Sequence, residues 1–348
     1  MALSGELQSA ATDRLSRPLR SLRISVIDRC DLRCAYCMPE EDYLWLPNQD
    51  ILTFDEINRL VDAFIVAGVT KVRLTGGEPL LRGSLVDLVR TLAQKEALED
   101  LALTTNGTQL LKWAVPLAQA GLQRVTVSLD SLNPARLETL TRRVVLDRVL
   151  GGIREAGRVG FNELKLNTVV MRHFNDDEIT DFIEFGNEVG AEVRFIEYMD
   201  VGGATLWSME RVFSKAEILA SVERHFGPAE PESKRGAAPA ERYRLQDGTA
   251  FGIIASTTEP FCRACDRSRL TADGMWYLCL YGVAGINLRD QVRAGAGDDE
   301  LVATIRRIWG DRDDRGAEDR HADPARGVLY QADQLREDPH KEMHTRGG

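Results

Sequence analysis

Arg29-Cys30-Asp31-Leu32-Arg33-Cys34-Ala35-Tyr36-Cys37-Met38-Pro39 sets three cysteines at C-x3-C-x2-C spacing, just behind an apolar, β-branched run from Leu22 to Ile27. Three thiolates brought this close can each hold one iron of a cubic [4Fe-4S] cluster, leaving the fourth iron without a protein ligand. The usual ferredoxin pattern supplies four cysteines, and a structural zinc site wants four protein ligands. An open iron is therefore the informative feature, because a small molecule can bind and react there. On this stretch alone, the competing readings are a zinc knuckle and three unrelated buried thiols, since free cysteine is often a small core residue.

Composition narrows the setting. A chain of 348 residues with 43% hydrophobic content can bury a sizeable core as one large α/β domain with an appendage, or as two domains. No apolar run reaches the length of a membrane span, and Met1 to Glu6 lack the basic and apolar regions of a secretory signal. Six cysteines in that context point to metal ligation rather than disulfides, and to a reduced, cytoplasmic setting. A net charge of −10 argues against a general nucleic-acid binder. An anionic substrate would need arginines clustered locally against that overall field.

Outward from the cysteines, short β-branched runs alternate with longer amphipathic ones. Thr53-Phe54-Asp55-Glu56 reads as a capping box, opening a helix with Ile57, Leu60, Val61 and Phe64 on one face and Gly68 as its stop. Strands near Val69–Leu74, Leu101–Thr104, Arg124–Leu129, Leu164–Val170 and Glu192–Tyr198 alternate with helices near Leu85–Ala93, Leu110–Ala120, Asp147–Arg158 and Asp177–Val189. That cadence of about six βα units predicts a parallel sheet with helical crossovers. Either a doubly wound sheet or a partial barrel fits it. The unusual residues (the cysteines, Gly76-Gly77-Glu78-Pro79, Thr104-Thr105-Asn106, Ser128 to Asp130, Glu197 to Asp200) fall at strand carboxyl ends, which favours the barrel.

Beyond residue 200 the cadence changes. A helix near Lys215–Phe226 precedes a Pro/Ala/Gly-rich stretch, Gly227–Ala240, that reads as a linker or exposed loop. A hairpin is expected around Asp247-Gly248, and a helix near Glu300–Trp309. The ends look solvated: Arg14, Arg17 and Arg20 read as surface charges, and Gly347-Gly348 as a frayed terminus. Between hairpin and helix comes Phe261-Cys262-Arg263-Ala264-Cys265-Asp266-Arg267-Ser268-Arg269, with Cys279 further on. Three cysteines stand here too, with no histidine inside the stretch to complete a zinc site. Arg267 and Arg269 alternate, so both face one way if the segment is extended, an arrangement suited to gripping phosphate.

The first cysteine set, with Tyr36 just before its third cysteine and the Gly-Gly turn one βα unit later, resembles the radical S-adenosylmethionine (SAM) superfamily. Taken with the second set, Arg-Ser-Arg and the terminal glycines, nearly the whole chain resembles the GTP 3',8-cyclase family, which performs the first step of molybdenum cofactor biosynthesis. The resemblance implies a (βα)6 partial TIM barrel over residues 22–212, an N-terminal extension over 1–21, and a C-terminal region over 213–348 carrying a second iron–sulfur cluster and a flexible tail. It implies two [4Fe-4S] clusters, one on Cys30, Cys34 and Cys37 that binds SAM, and one on Cys262, Cys265 and Cys279 that binds substrate. SAM contacts would come from Tyr36, Gly77, Ser128 and Met199. GTP contacts would come from Arg23, Arg73, Thr104, Lys165, Arg267, Ser268 and Arg269, with Gly347 and Gly348 reaching into the active site.

In such an enzyme a 5'-deoxyadenosyl radical removes the hydrogen from ribose C3' of GTP, and C3' then bonds to C8 of the guanine. The partners implied are GTP, SAM, an external one-electron donor and, downstream, cyclic pyranopterin monophosphate synthase. Neither nucleic acid nor membrane is expected, and the family often forms homodimers. The competing expectations are another radical SAM enzyme with an auxiliary cluster, such as a peptide-modifying maturase, and a non-catalytic zinc-binding interaction protein. Asp31 and Leu32 depart from the Asn and Phe more usual in the family, but neither is a ligand position.

Overall fold

The computed structural model describes residues 10–40, 42–232 and 236–347. Six parallel strands form the centre of one sheet. These are β1 (Ser21–Ser25), β2 (Lys71–Thr75), β3 (Asp100–Thr105), β4 (Arg124–Ser128), β5 (Glu163–Val170) and β6 (Glu192–Glu197), paired in sequence order. The crossovers are α1 (Phe54–Ala67), α2 (Leu85–Ala93), α3 (Leu110–Gln119), α4 (Pro134–Thr141) with α5 (Leu146–Val159), and α6 (Ile179–Val189). Alternate strand residues such as Leu22, Ile24, Leu74, Leu103, Val125 and Leu166 bury themselves against Ile57, Phe64, Leu88, Leu117 and Ile153 of the helices. The other face carries Arg23, Arg73, Thr104, Thr126, Asn167 and Arg194. A closed barrel fills its interior with branched apolar side chains. Polar residues at those positions instead leave a space inside.

The barrel is not closed by β1 meeting β6. After α7 (Lys215–Phe226), the strands β7 (Glu230–Pro231), β8 (Glu241–Arg244) and β9 (Ala250–Ile254) extend the β6 edge, with β9 parallel to β6. On the opposite flank β10 (Arg267–Leu270) lies parallel to β1, followed by β11 (Met275–Tyr277) and β12 (Ile286–Asn287). Both edges of the six-stranded unit are thus covered by strands from the last third of the chain. Of the later helices, α8 (Leu288–Arg293) leads into α9 (Asp298–Gly310), which packs Leu301, Ile305 and Trp309 into the main core beside α1.

Several expectations need correction. Helix α4 was not expected. Its signal is Asn133-Pro134: the Asn133 side chain caps the N–H groups of Ala135 and Arg136, with proline in the first turn. The stretch read as an exposed linker sends Ala237, Ala238 and Pro239 to the wall of the central cavity. Arg17, read as a surface charge, is 1% exposed. The chain end, expected to fray or flex, carries α10 (Gly316–Ala322), α11 (Ala332–Glu337) and α12 (Met343–Arg346), and His344, Thr345 and Arg346 are buried. Gly348 lies outside the described residues.

Helix α1 begins as the sequence implies. Thr53 Oγ1 accepts from Glu56 N at 3.1 Å, Glu56 Oε2 accepts from Thr53 N at 2.7 Å, and Gly68 ends the helix at φ 121°. Replacing Thr53 with Ala is expected to lower unfolding free energy by about 1 kcal/mol, measured by urea denaturation. The effect should appear in stability and not in ligand affinity, because the cap lies away from the cavity.

Candidate active site

A cavity of about 530 Å3 occupies the space inside the curled sheet. Cys30, Cys34 and Cys37 line one part of its wall, and Cys262, Cys265 and Cys279 another. All six sulfurs are free thiols. Among the described residues, no three Cys, His, Asp or Glu side chains converge as ligands of a single metal ion. Thiols spread around a space suit a polynuclear cluster better than one zinc. Burial raises the Cys30 thiol to about 12 and pushes Cys34 and Cys37 up as well. A buried thiolate here would need a metal's positive charge to form.

The first set is held by β1, β2 and β3 together. Gly77 N donates to Ile27 O and Glu78 N to Arg29 O, both at 2.8 Å, so the Gly-Gly turn is stitched to the start of the cysteine loop. A Cβ on Gly77 would stand 2.3 Å from Arg29 O, which only glycine avoids. Glu78 is fully buried. Its carboxylate accepts from Leu80 N, Thr105 Oγ1 and Asn106 N, and burial raises it to about 7. Asn106 in turn directs its amide at Cys30 Sγ (3.7 Å) and Asp31 Oδ1 (2.8 Å), while Leu32 N donates to the same sulfur at 3.4 Å. Tyr36 Oη donates to Asp130 Oδ2 at 2.7 Å, which fixes the ring on the cavity wall beside Ser128 and Met199. Burial raises Asp130 to about 6.

Strand register assembles a cationic wall. Arg23 pairs with Arg73 across β1–β2 and with Arg269 across β1–β10, so three guanidiniums stand in one row on the inner face. Arg267, two residues before Arg269, faces the same side. Among the described residues none of these four arginines forms an ion pair with a carboxylate. Arg73 donates instead to the hydroxyls of Thr104 (3.0 Å) and Thr126 (3.1 Å). Burial and like-charge repulsion lower Arg73 and Arg269 to about 10 and hold Arg23 well below its usual range. Arg269 is buried and Arg23, Arg73 and Arg267 are half-buried; crowding like charges in such a setting is costly, and a polyanion would relieve it.

The second set lies beside this wall. Burial raises Cys279 to about 11, and it raises Cys265 too, but Arg267 and Arg312 outweigh it there and bring that thiol down to about 7. Arg267 Nη2 donates to Cys265 Sγ at 3.6 Å, and nearby backbone N–H groups, those of Ala317 and Glu318 at Cys262 and that of Tyr281 at Cys279, work against burial to lower these thiols. Donors of this kind accompany iron–sulfur ligands and stabilise their charge. Gly316 stands where a Cβ would meet Cys279 Sγ at 3.2 Å and Tyr281 Cβ at 2.6 Å. The chain end closes over the same region. Arg269 Nη1 donates to the carbonyls of Arg346 and Gly347, and Arg346 caps the Tyr277 ring at 4.4 Å. Gly347 has φ 72°, and a Cβ there would stand 2.4 Å from the Thr75 methyl, leaving no room for a side chain.

Most residues singled out in the sequence therefore meet on one wall: the six cysteines, Tyr36, Gly77, Ser128, Met199, Arg23, Arg73, Thr104, Arg267 and Arg269. Two do not. Ser268 shares the face of its register partner Leu22, and its hydroxyl is buried without a partner. Lys165 faces inward on β5, but its amine is held by Glu163, and burial with Arg194 nearby brings it to about 8. Arg124, Arg194, Asn167 and Asp130 also line the cavity. Asp130, just past β4, and Asn167, on β5, stand out in the sequence as polar residues, whereas the signal for Arg124 and Arg194 is the polar alternation of strands that line a hollow barrel.

Comparison with known proteins follows this geometry. The Radical SAM superfamily profile matches residues 24–186, and the Molybdenum Cofactor Synthesis C profile matches residues 191–318. GTP 3',8-cyclase 1 of Mycobacterium tuberculosis is 56% identical over 340 residues, covering 97% of this chain and 95% of that protein. The chain belongs to the GTP 3',8-cyclase family. The cyclase of Acidothermus cellulolyticus is 49% identical over 89% of both chains. Among solved structures, Streptococcus suis SuiB bound to S-adenosylmethionine shares the fold, with a TM-score of 0.56 at 20% identity over 84% of this chain and 68% of that one.

As a GTP 3',8-cyclase family member the chain is a radical SAM enzyme that uses SAM and an iron–sulfur cluster. The donor set fits that requirement: three thiols on one loop and glycine turns that leave room beside them. The cationic wall makes a separate, signed prediction. Arg23→Met, which removes a repelled buried charge of similar volume, should raise the apo protein's unfolding free energy by on the order of 1 kcal/mol. Thermal melting at low salt would show it, and a lower melting point would mean the guanidinium has a stabilising partner.

Proposed function

We propose that this chain converts GTP to (8S)-3',8-cyclo-7,8-dihydroguanosine 5'-triphosphate, the first step of molybdenum cofactor biosynthesis. The observation that carries this reading is the row Arg269, Arg23 and Arg73, without an ion pair to a carboxylate among the described residues, lining the cavity that both cysteine sets also line. Guanidiniums in register suit a triphosphate, whose oxygens accept paired N–H donors. A cavity of about 530 Å3 is within the range of small-molecule sites. The relatives that span nearly the whole chain carry the cyclase name.

Cys30, Cys34 and Cys37 would hold a [4Fe-4S] cluster with SAM on its open iron, and Cys262, Cys265 and Cys279 a second one whose open iron faces the guanine. When bound and reduced, these groups supply the radical that takes the C3' hydrogen and the electron that completes ring closure. The protein's own work is positioning and exclusion of water. Tyr36, oriented by Asp130, packs near the adenine with Met199; the backbone at Gly77 receives the SAM amino group, and Ser128 its carboxylate. Arg23, Arg73, Arg267 and Arg269 hold the triphosphate, with Thr104 beside Arg73. Lys165 would join them only on leaving Glu163. The terminal glycines, Gly347 and Gly348, would reach into the active site when substrate is bound. An external one-electron donor and a downstream cyclic pyranopterin monophosphate synthase go with this chemistry, as does a reducing cytoplasmic compartment.

Anaerobic incubation of the iron–sulfur-reconstituted protein with SAM, dithionite and GTP should yield 5'-deoxyadenosine together with a GTP isomer of altered chromatographic retention. Deoxyadenosine with unchanged GTP would keep the radical chemistry and sink the substrate. Arg73→Ala should lower kcat/KM for GTP by on the order of 100-fold, through loss of charge-assisted bonds to the phosphates.

A further inference from the structure

The second cysteine set is anchored by a buried ionic network that begins at the other end of the chain. Arg17 is 1%, Arg312 3% and Asp13 6% exposed. Arg17 Nε donates to Asp13 Oδ2 at 2.5 Å, and Asp13 Oδ1 accepts from the N–H groups of Leu15 and Arg17. Arg17 Nη1 then donates to Cys262 O at 3.0 Å and Asp314 O at 2.8 Å. Arg312 Nη1 donates to Cys265 O at 3.1 Å and stands 3.7 Å from Asp13 Oδ2, while its Nε and Nη2 bind the Asp314 carboxylate. Trp309 fixes both partners, its Nε1 donating to Arg17 O at 3.0 Å and its ring lying 4.4 Å under the Arg312 guanidinium.

We propose that Asp13, Arg17 and Arg312 are positioning residues for the second iron–sulfur site, clamping the carbonyls of Cys262 and Cys265. The proposal rests on reading Cys262, Cys265 and Cys279 as a cluster site. Its physical logic is twofold. Buried charge pairs add little net stability compared with apolar packing, so a network of this kind is better explained by the geometry it enforces. A ligand loop must also turn its carbonyl dipoles away from an anionic cluster and its N–H groups towards it. Two cations behind the loop hold the carbonyls of Cys262 and Cys265, while the Arg267 guanidinium donates to Cys265 Sγ at 3.6 Å. The four charged groups, two guanidiniums and two carboxylates, balance in sign, so the network orients the loop, and the field it adds is confined to the pull of Arg312 on the Cys265 thiol.

The test uses the full-length chain in two backgrounds, each retaining one cysteine set. In Cys30→Ala/Cys34→Ala/Cys37→Ala protein reconstituted anaerobically with iron and sulfide, Arg17→Met should speed iron loss to a chelator about tenfold. Arg17→Lys keeps the charge and the Asp13 pair but cannot span both carbonyls, so its rate should fall between. In Cys262→Ala/Cys265→Ala/Cys279→Ala protein, Arg17→Met should leave iron loss from the first set unchanged. Equal rates for Arg17 and its Lys variant in the first background, or equal acceleration by Arg17→Met in both, would overturn the clamp. Failure of the first background to hold iron even with Arg17 present would sink the second-cluster reading itself, a result distinct from either.

Discussion

The structure depends on placing unneutralised positive charge inside a barrel. Arg269, Arg23 and Arg73 share one level of three adjacent strands, and among the described residues none of them forms an ion pair with a carboxylate. Such a row is unfavourable until an anion arrives, so the surrounding fold must hold it by other means. It does so by pairing β10 with β1, which brings an arginine pair from late in the chain against one near its start. It also surrounds the row with threonine hydroxyls rather than carboxylates. An acidic protein overall, it concentrates its cations where the chemistry needs them.

Much of this could be read from residues alone. The C-x3-C-x2-C stretch, the βα cadence and the alternation of Arg267 with Arg269 carry local information, and the structure realises each one where its local rule applies. The α1 cap is the clearest case, since every partner lies within four residues. What was not legible depends on residues distant in sequence. Nothing near Arg17 reveals that Cys262 O and Asp314 O will cover it, and nothing in Thr345-Arg346 announces that Tyr277, Leu280 and Arg269 will bury the chain end. Ser268 shows the converse error. Its neighbours on both sides face the cavity, so strand alternation alone should have turned it the other way.

Both cysteine sets follow one building rule with different parts. The first is secured by a neighbouring turn of the same barrel, with Glu78 tying β2 to the end of β3 and Asn106 reaching back to Cys30. The second is secured by segments far apart in the chain, with the start of α10 on one side and the Asp13 network on the other. In each case a glycine leaves room for the loop: a side chain at Gly316 would meet Cys279 Sγ, and one at Gly77 would meet the carbonyls of Asp28 and Arg29 that lead into the first cysteine set.

The covered sheet edges also bear on how the protein is born. Strand β1 leaves the ribosome early, but β10, which protects its outer edge, follows roughly 240 residues later. At about 5–20 residues per second of synthesis, that is tens of seconds during which an unpaired parallel edge is exposed. The opposite edge, β6, waits a shorter time for β9. A nascent chain with open edges is prone to pair with the wrong strand. The order of emergence therefore makes late residues, from β9 through β10, the point at which the half-made barrel stops being adhesive.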